Sequence, residues 1–144
     1  MIRVLLLGAL LAAAPFAGAC GYCVEDKMAS VYDHAVVTRA LGQQHHVAFF
    51  HLDGALSTGE AGRQSLLKAV ESSPGADKGS ARASLESASL SVAFDPKRTP
   101  IAVLQNEIER KLAARKLSLM LLQVMDRPAD FSPSAMASMK RVKK

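Results

Sequence analysis

The chain has 144 residues, 49% of them hydrophobic and 22% charged, with six prolines, two cysteines and no tryptophan, which leaves room for one compact domain behind an N-terminal targeting segment. Its net charge of +5 is a mild excess, part of it in the terminal run Lys140-Arg141-Val142-Lys143-Lys144. Basic and aromatic residues do not interleave as a single-strand binder needs, so a nucleic-acid partner is excluded. No Ser-His-Asp, paired-carboxylate or phosphate-loop pattern argues for a hydrolase or transferase, and the chain reads as a non-enzyme.

Residues 1–19 read as a signal peptide. Arg3 is the positive n-region, Val4 to Ala14 the apolar h-region, Pro15 the helix breaker, and Ala17-Gly18-Ala19 the small residues before the cut. Cleavage there makes Cys20 the first residue of an exported, periplasmic protein. The apolar run is shorter than the roughly 20 residues of a membrane span. A cysteine after a small triplet also resembles a bacterial lipoprotein signal, although Ala17 stands where such signals usually carry leucine. Lipidation would turn the Cys20 sulfur into a thioether and tie the chain to the envelope membrane.

Cys20-Gly21-Tyr22-Cys23 holds both cysteines. The spacing can chelate one thiophilic ion or close a small disulfide. Residues 24–41 then have helical spacing, with Val24, Met28, Val31, Tyr32 and Ala35 on one stripe and Gly42 as the stop. His34, about 16 Å along that helix from Cys23, reads as a surface histidine.

Residues 45–53 read as a strand ended by Gly54. Both faces are partly apolar, with Val47, Phe49 and His51 on one and His46, Ala48, Phe50 and Leu52 on the other, so cover is expected on each side. Ser57-Thr58-Gly59-Glu60 has capping-box form and opens a helix that stops at Ser73-Pro74-Gly75. Alternation over 80–86 and 89–95 gives two strands. Thr99-Pro100 starts a helix whose stripe is Ile101, Leu104, Ile108 and Leu112, and residues 117–125 form a last strand before Asp126-Arg127-Pro128. The order is βαββαβ, an α+β ferredoxin-like antiparallel sheet with two helices on one face and an added N-terminal helix. The segments are 1–19 signal peptide, 20–44 CxxC and amphipathic helix, 45–126 domain, and 127–144 a basic, loosely ordered tail.

The stretches from Ser65 to Asp77, with its helix ending in Pro74-Gly75, and from Leu90 to Pro96, ending in Phe94-Asp95-Pro96, resemble the heavy-metal-associated domain, the family of small copper chaperones and mercury-binding proteins. The likeness covers residues 46–125. It implies the ferredoxin-like fold, a soft metal ion and a protein partner in a metal-handling system. The chain departs from the family where the family's metal loop, Met-x-Cys-x-x-Cys, follows the glycine after strand one. Here Gly54 is followed by Ala55-Leu56-Ser57-Thr58-Gly59-Glu60, with no sulfur.

Two readings follow: metal binding is lost, or the site has moved to Cys20 and Cys23. Geometry favours relocation. A helix over 24–41 rises about 27 Å and the strand spans about 30 Å, so lying antiparallel they bring Cys23 near His51. Cys20, Cys23 and His51, with the freed α-amino group of Cys20, form an S,S,N set suited to copper, zinc or mercury. His45 and His46, at the far end and facing opposite ways, are poor joint ligands; Met136 and Met139 could recruit Cu(I) from the tail. The alternatives are a non-catalytic periplasmic interaction module or lipoprotein without metal, and a thiol-disulfide redox protein. The last rests on the resemblance of Cys-Gly-Tyr-Cys to the motif of thioredoxin-like disulfide isomerases, without the strand that precedes the motif there.

Overall fold

A computed structural model describes residues 23–128. In chain order the elements are α1 (Val24–Ala29), α2 (His34–Gly42), β1 (His46–Asp53), α3 (Gly59–Glu71), β2 (Arg82–Ser84), β3 (Ser89–Phe94), α4 (Ile101–Leu112), a 3-10 turn (Ala113–Arg115) and β4 (Ser118–Met125). The strands form one sheet in the order β2-β3-β1-β4, antiparallel at every pairing. The expected βαββαβ order and ferredoxin-like sheet are present. The proposed signal peptide, Cys20 and the tail from 129 lie outside the described residues.

Strand periodicity divides β1 between two cores. Ala48, Phe50 and Leu52 join Leu90, Val92, Phe94, Leu104, Ile108, Leu112, Leu66 and Val70, which places α3 and α4 together on the first face. Val47 and Phe49 join Ala93, Met125 and the N-terminal residues Met28, Val31, Val36, Val37 and Ala40 on the second face. Both rings, Phe49 and Phe50, are fully buried. The N-terminal segment is docked, as its apolar spacing requires.

That segment is not one helix. It breaks at 30–33, and α2 starts again from Asp33, whose Oδ1 accepts the Ala35 and Val36 N–H groups at 2.9 and 3.1 Å. The break is stable because the groups it frees find partners: Ser91 Oγ donates to the Val31 carbonyl at 2.7 Å, and Ser30 Oγ to the Lys27 carbonyl at 2.7 Å. It also moves the buried stripe on by one residue. Val36, Val37 and Ala40 are buried while Ala35, on the stripe of an unbroken helix, is exposed.

The serines of β3 lie on this same face. Ser89 and Ser91, half of what reads in sequence as a polar alternation, are buried beneath the N-terminal helices. At α3 the capping box does not form: the N-cap is Thr58 and not Ser57, which moves Glu60 to the second helical position, Thr58 makes no side-chain cap bond, and the Glu60 carboxylate takes Arg63 Nε at 2.9 Å and Gln64 Nε2 at 2.6 Å. Glycine is required at the exit of β1. Gly54 has φ +121°, and a Cβ there would lie 2.5 Å from the Lys116 carbonyl oxygen.

Candidate metal centre

The loop that follows β1 is where a heavy-metal-associated domain would hold its ion. Here Leu56, Ser57, Leu66, Leu85, Arg115 and Leu117 line a cavity of only about 10 Å³. With no sulfur, and with Glu60 turned to Arg63, the loop offers no donor set for a soft ion. The residues do not fit the family's site, as the sequence departure implied.

The relocated set is divided by what can be described. Cys20 lies outside the described residues. Cys23 is exposed and stands at the N-cap of α1, making no side-chain cap bond, while its carbonyl accepts the Lys27 N–H at 3.2 Å. His51 is half-buried near the end of β1 and faces the second core, the side on which α1 packs. Its Nδ1 lies 2.9 Å from the Ala88 carbonyl and 3.0 Å from Lys27 Nζ. Lys27, one turn on from Cys23, also donates to the Ser87 carbonyl at 2.9 Å.

α1 therefore lies over the His51 end of the sheet, and it is the side chain of Lys27 that reaches the ring. Sequence spacing did not reveal that contact. A lysine four residues from a helix-start cysteine is an ordinary solvent-facing charge until the partner strand is known. Its effect is electrostatic: an ammonium 3.0 Å from Nδ1 opposes a second cation on that nitrogen. Nε2 is the nitrogen left for a ligand bond, in the tautomer that donates Nδ1–H to the Ala88 carbonyl. An Nδ1–H donated to a backbone carbonyl is the second-shell arrangement that orients metal-binding imidazoles.

The other histidines are elsewhere. His34 is exposed, with Nε2 3.5 Å from Thr38 Oγ1. His45 Nδ1 lies 2.7 Å from Asp77 Oδ2, and its Nε2 3.9 Å from Asp95 Oδ2. His46 meets Phe94 edge-on at 5.9 Å between ring centroids. The two do not share a site, as their opposite facing requires. Among the described residues no group of three or more His, Cys, Asp or Glu side chains is placed to hold a metal ion, so any site at Cys23 and His51 needs a donor from Cys20 or from another residue type. Met136 and Met139 lie outside the described residues.

The strand order and helix placement now stand beside known structures. The chain is similar to a copper binding domain from HMA7, a P-type ATPase, at 22% identity and a TM-score of 0.44, covering 55% of this chain and 96% of that one. It is similar also to oxidized MerP from Ralstonia metallidurans CH34, at 19% identity and a TM-score of 0.42, covering 55% of this chain and 99% of that one. The fold is the one that the heavy-metal-associated resemblance implied. At these identities the likeness reaches no further than fold. No protein-family model and no curated protein matches the chain. Among the described residues no helix is long and apolar enough to cross a membrane.

Proposed function

We propose that this is an exported, non-enzymatic module that binds one soft metal ion through the thiolates of Cys20 and Cys23, with His51 Nε2 as the adjoining nitrogen donor. One observation supports the reading: Lys27, one turn on from exposed Cys23, reaches the His51 ring with its side chain, which ties α1 to the strand end bearing His51. The emptied family loop supports it, since it removes the competing set of donors. A copper, zinc or mercury ion suits two thiolates and an imidazole, and a module of this size would pass the ion to or from a metal-handling protein. An oxidising compartment opposes it by favouring the Cys20–Cys23 disulfide.

The test is competitive titration of Cu(I) or Zn(II) against a chelator, on the reduced protein and on Cys20→Ser, Cys23→Ser and His51→Ala. The reading expects stoichiometric binding that either serine abolishes and alanine weakens. Unchanged affinity in both serine variants ends it. An acylated Cys20, seen in the native mass, ends it sooner and turns the chain into a lipid-anchored interaction module.

A further inference from the structure

The strand register places a second soft donor beside His51. β1 and β4 pair with His51 opposite Met120 and Leu52 opposite Leu119. Leu52 and Leu119 both belong to the first core, so the neighbouring pair, His51 and Met120, shares the second face. Directly opposed residues have Cβ atoms about 5 Å apart, within reach of a long side chain. The N-terminal helices lie over β1 and β3 and cover the Met125 end of β4, while its Met120 end is left open. There Met120 is 59% exposed, whereas Met28 and Met125, the other described methionines, are fully buried.

The partners of His51 Nδ1 lie on the side away from this neighbour. Ala88 immediately precedes β3, on the side of β1 away from β4, and its carbonyl lies 2.9 Å from Nδ1. Two tautomers share this geometry: one accepts the Lys27 N–H at Nδ1, and the other donates Nδ1–H to the Ala88 carbonyl and leaves the lone pair on Nε2, on the side of the ring away from Nδ1. Lys27 stands on the Nδ1 side and has the Ser87 carbonyl for its own hydrogen bond. Binding at Nε2 selects the second tautomer.

We propose that His51 Nε2 and Met120 Sδ form a binding pair for a soft monovalent ion of the Cu(I) class, selective against Zn(II). The thioether is a soft, neutral donor that suits Cu(I) and contributes little to zinc. The charge of Lys27 adds to the selectivity, since a monovalent ion meets half the repulsion that a divalent one does at the same distance. The pair shares His51 with the dithiol reading and deepens it by naming the ion class, but it stands or falls without the cysteines.

The experiment is a titration of the reduced full chain with Ag(I), the air-stable probe for this class, reading the methyl signals of 13C-methyl-labelled methionine and assigning Met120 by Met120→Leu. The expected result is a saturable shift of the Met120 methyl, lost in His51→Gln and absent with Zn(II). The same shift in the Cys20→Ser/Cys23→Ser double variant supports the pair even if the dithiol binds nothing. Thiols that load with Ag(I) while the Met120 methyl stays still overturn the pair and leave the dithiol reading intact. A Met120 shift that survives His51→Gln, or that Zn(II) reproduces, is adventitious thioether binding and also overturns it. Met120 is exposed, so Met120→Leu tests the pair without disturbing either core: it should weaken Ag(I) binding to the double cysteine variant, and equal binding sinks the proposal.

Discussion

On the first face of the sheet, two helices of 13 and 12 residues, α3 and α4, press Leu66, Val70, Leu104, Ile108 and Leu112 onto Ala48, Phe50 and Leu52. On the second, helices of six and nine residues cover Val47 and Phe49 with Met28, Val31, Val36, Val37 and Ala40. The short helices are also fastened by directional bonds: Ser91 to the Val31 carbonyl, Ser30 to Ser87 at 2.6 Å, Lys27 to the Ser87 carbonyl, and Arg82 Nε to Asp33 Oδ2 at 2.8 Å. A six-residue helix has no stability of its own in water. Apolar burial is non-directional and would let it slide; hydrogen bonds to fixed points on β3 and its hairpin set where it stops. α3 and α4 have such bonds too, from Glu71 to the Ala81 N–H and from Gln105 and Glu109 to the Leu119 backbone, but the shorter helices depend on theirs more for position. Position is what a site at Cys23 and His51 needs.

Removing the second cover is the largest test of this contrast. A chain beginning after residue 42 exposes Val47 and Phe49, whose burial is worth about 3 to 6 kcal/mol together, and leaves an apolar sheet face open. It should unfold at markedly lower urea and self-associate in sedimentation experiments. A truncated domain that is monomeric and equally stable would show that the helices only rest on the sheet.

A single ring on each face sharpens the comparison. Phe50→Ala hollows the first core and should cost about 3 to 5 kcal/mol. Phe49→Ala removes an equally buried ring, but two short helices joined by a turn can settle into the space. Its cost should fall at the low end of that range. If Phe49→Ala proves the more damaging in urea unfolding, the two faces have been ranked in the wrong order.

These differences bear on what could be read before the structure was known. The division of β1 was legible because alternation has period two and both sets, Val47 and Phe49 against Ala48 and Phe50, are apolar. The stripe Leu104, Ile108 and Leu112 was legible for the same reason at helical period. The break at 30–33 was not read, although Asp33 is a strong N-cap residue and Val36, Val37 and Ala40 form their own stripe. The earlier stripe through Val31, Tyr32 and Ala35 masked the shift. The capping box misled because the N-cap is Thr58, one residue later, and Glu60 takes Arg63 and Gln64 instead. Lys27 against His51, and Met120 beside it, depend on register between distant segments, which no local pattern encodes. The absence of sulfur after Gly54 could be read directly, and it directed attention away from the family loop.

The polar fastenings should give smaller losses. Ser91→Ala removes the donor to a carbonyl at the centre of the second face and should cost about 1 kcal/mol, read as a shift in urea midpoint with unchanged slope. The same substitution at Ser72, whose Oγ bonds only its own helix at the exposed end of α3, should leave the midpoint where it is. Equal shifts would mean that the buried bond to the Val31 carbonyl adds nothing beyond what a surface serine-to-alanine change does.

The smallest effect is the pH dependence at Asp33. The Val36 N–H, then the Arg82 guanidinium, hold its carboxyl below the usual carboxylate range. A folded-state value below the unfolded one means the folded protein binds the proton less readily. The stabilisation is fully present above the ordinary value of about 3.9 and is lost as pH falls through the lower folded value. The ion pair with Arg82 is partly solvent-exposed, with about a third of each side chain accessible, so the contribution should stay within about 1 kcal/mol. Asp33→Asn keeps a competent N-cap and removes the titrating group. Near pH 6 the wild type should be slightly the more stable of the two, and the difference should shrink as the solution is acidified below about pH 4, with 0.5 M salt reducing it further. A gap that instead widens on acidification would show that the aspartate is not favoured as the anion in the folded state, and the break between α1 and α2 would then need a different cause.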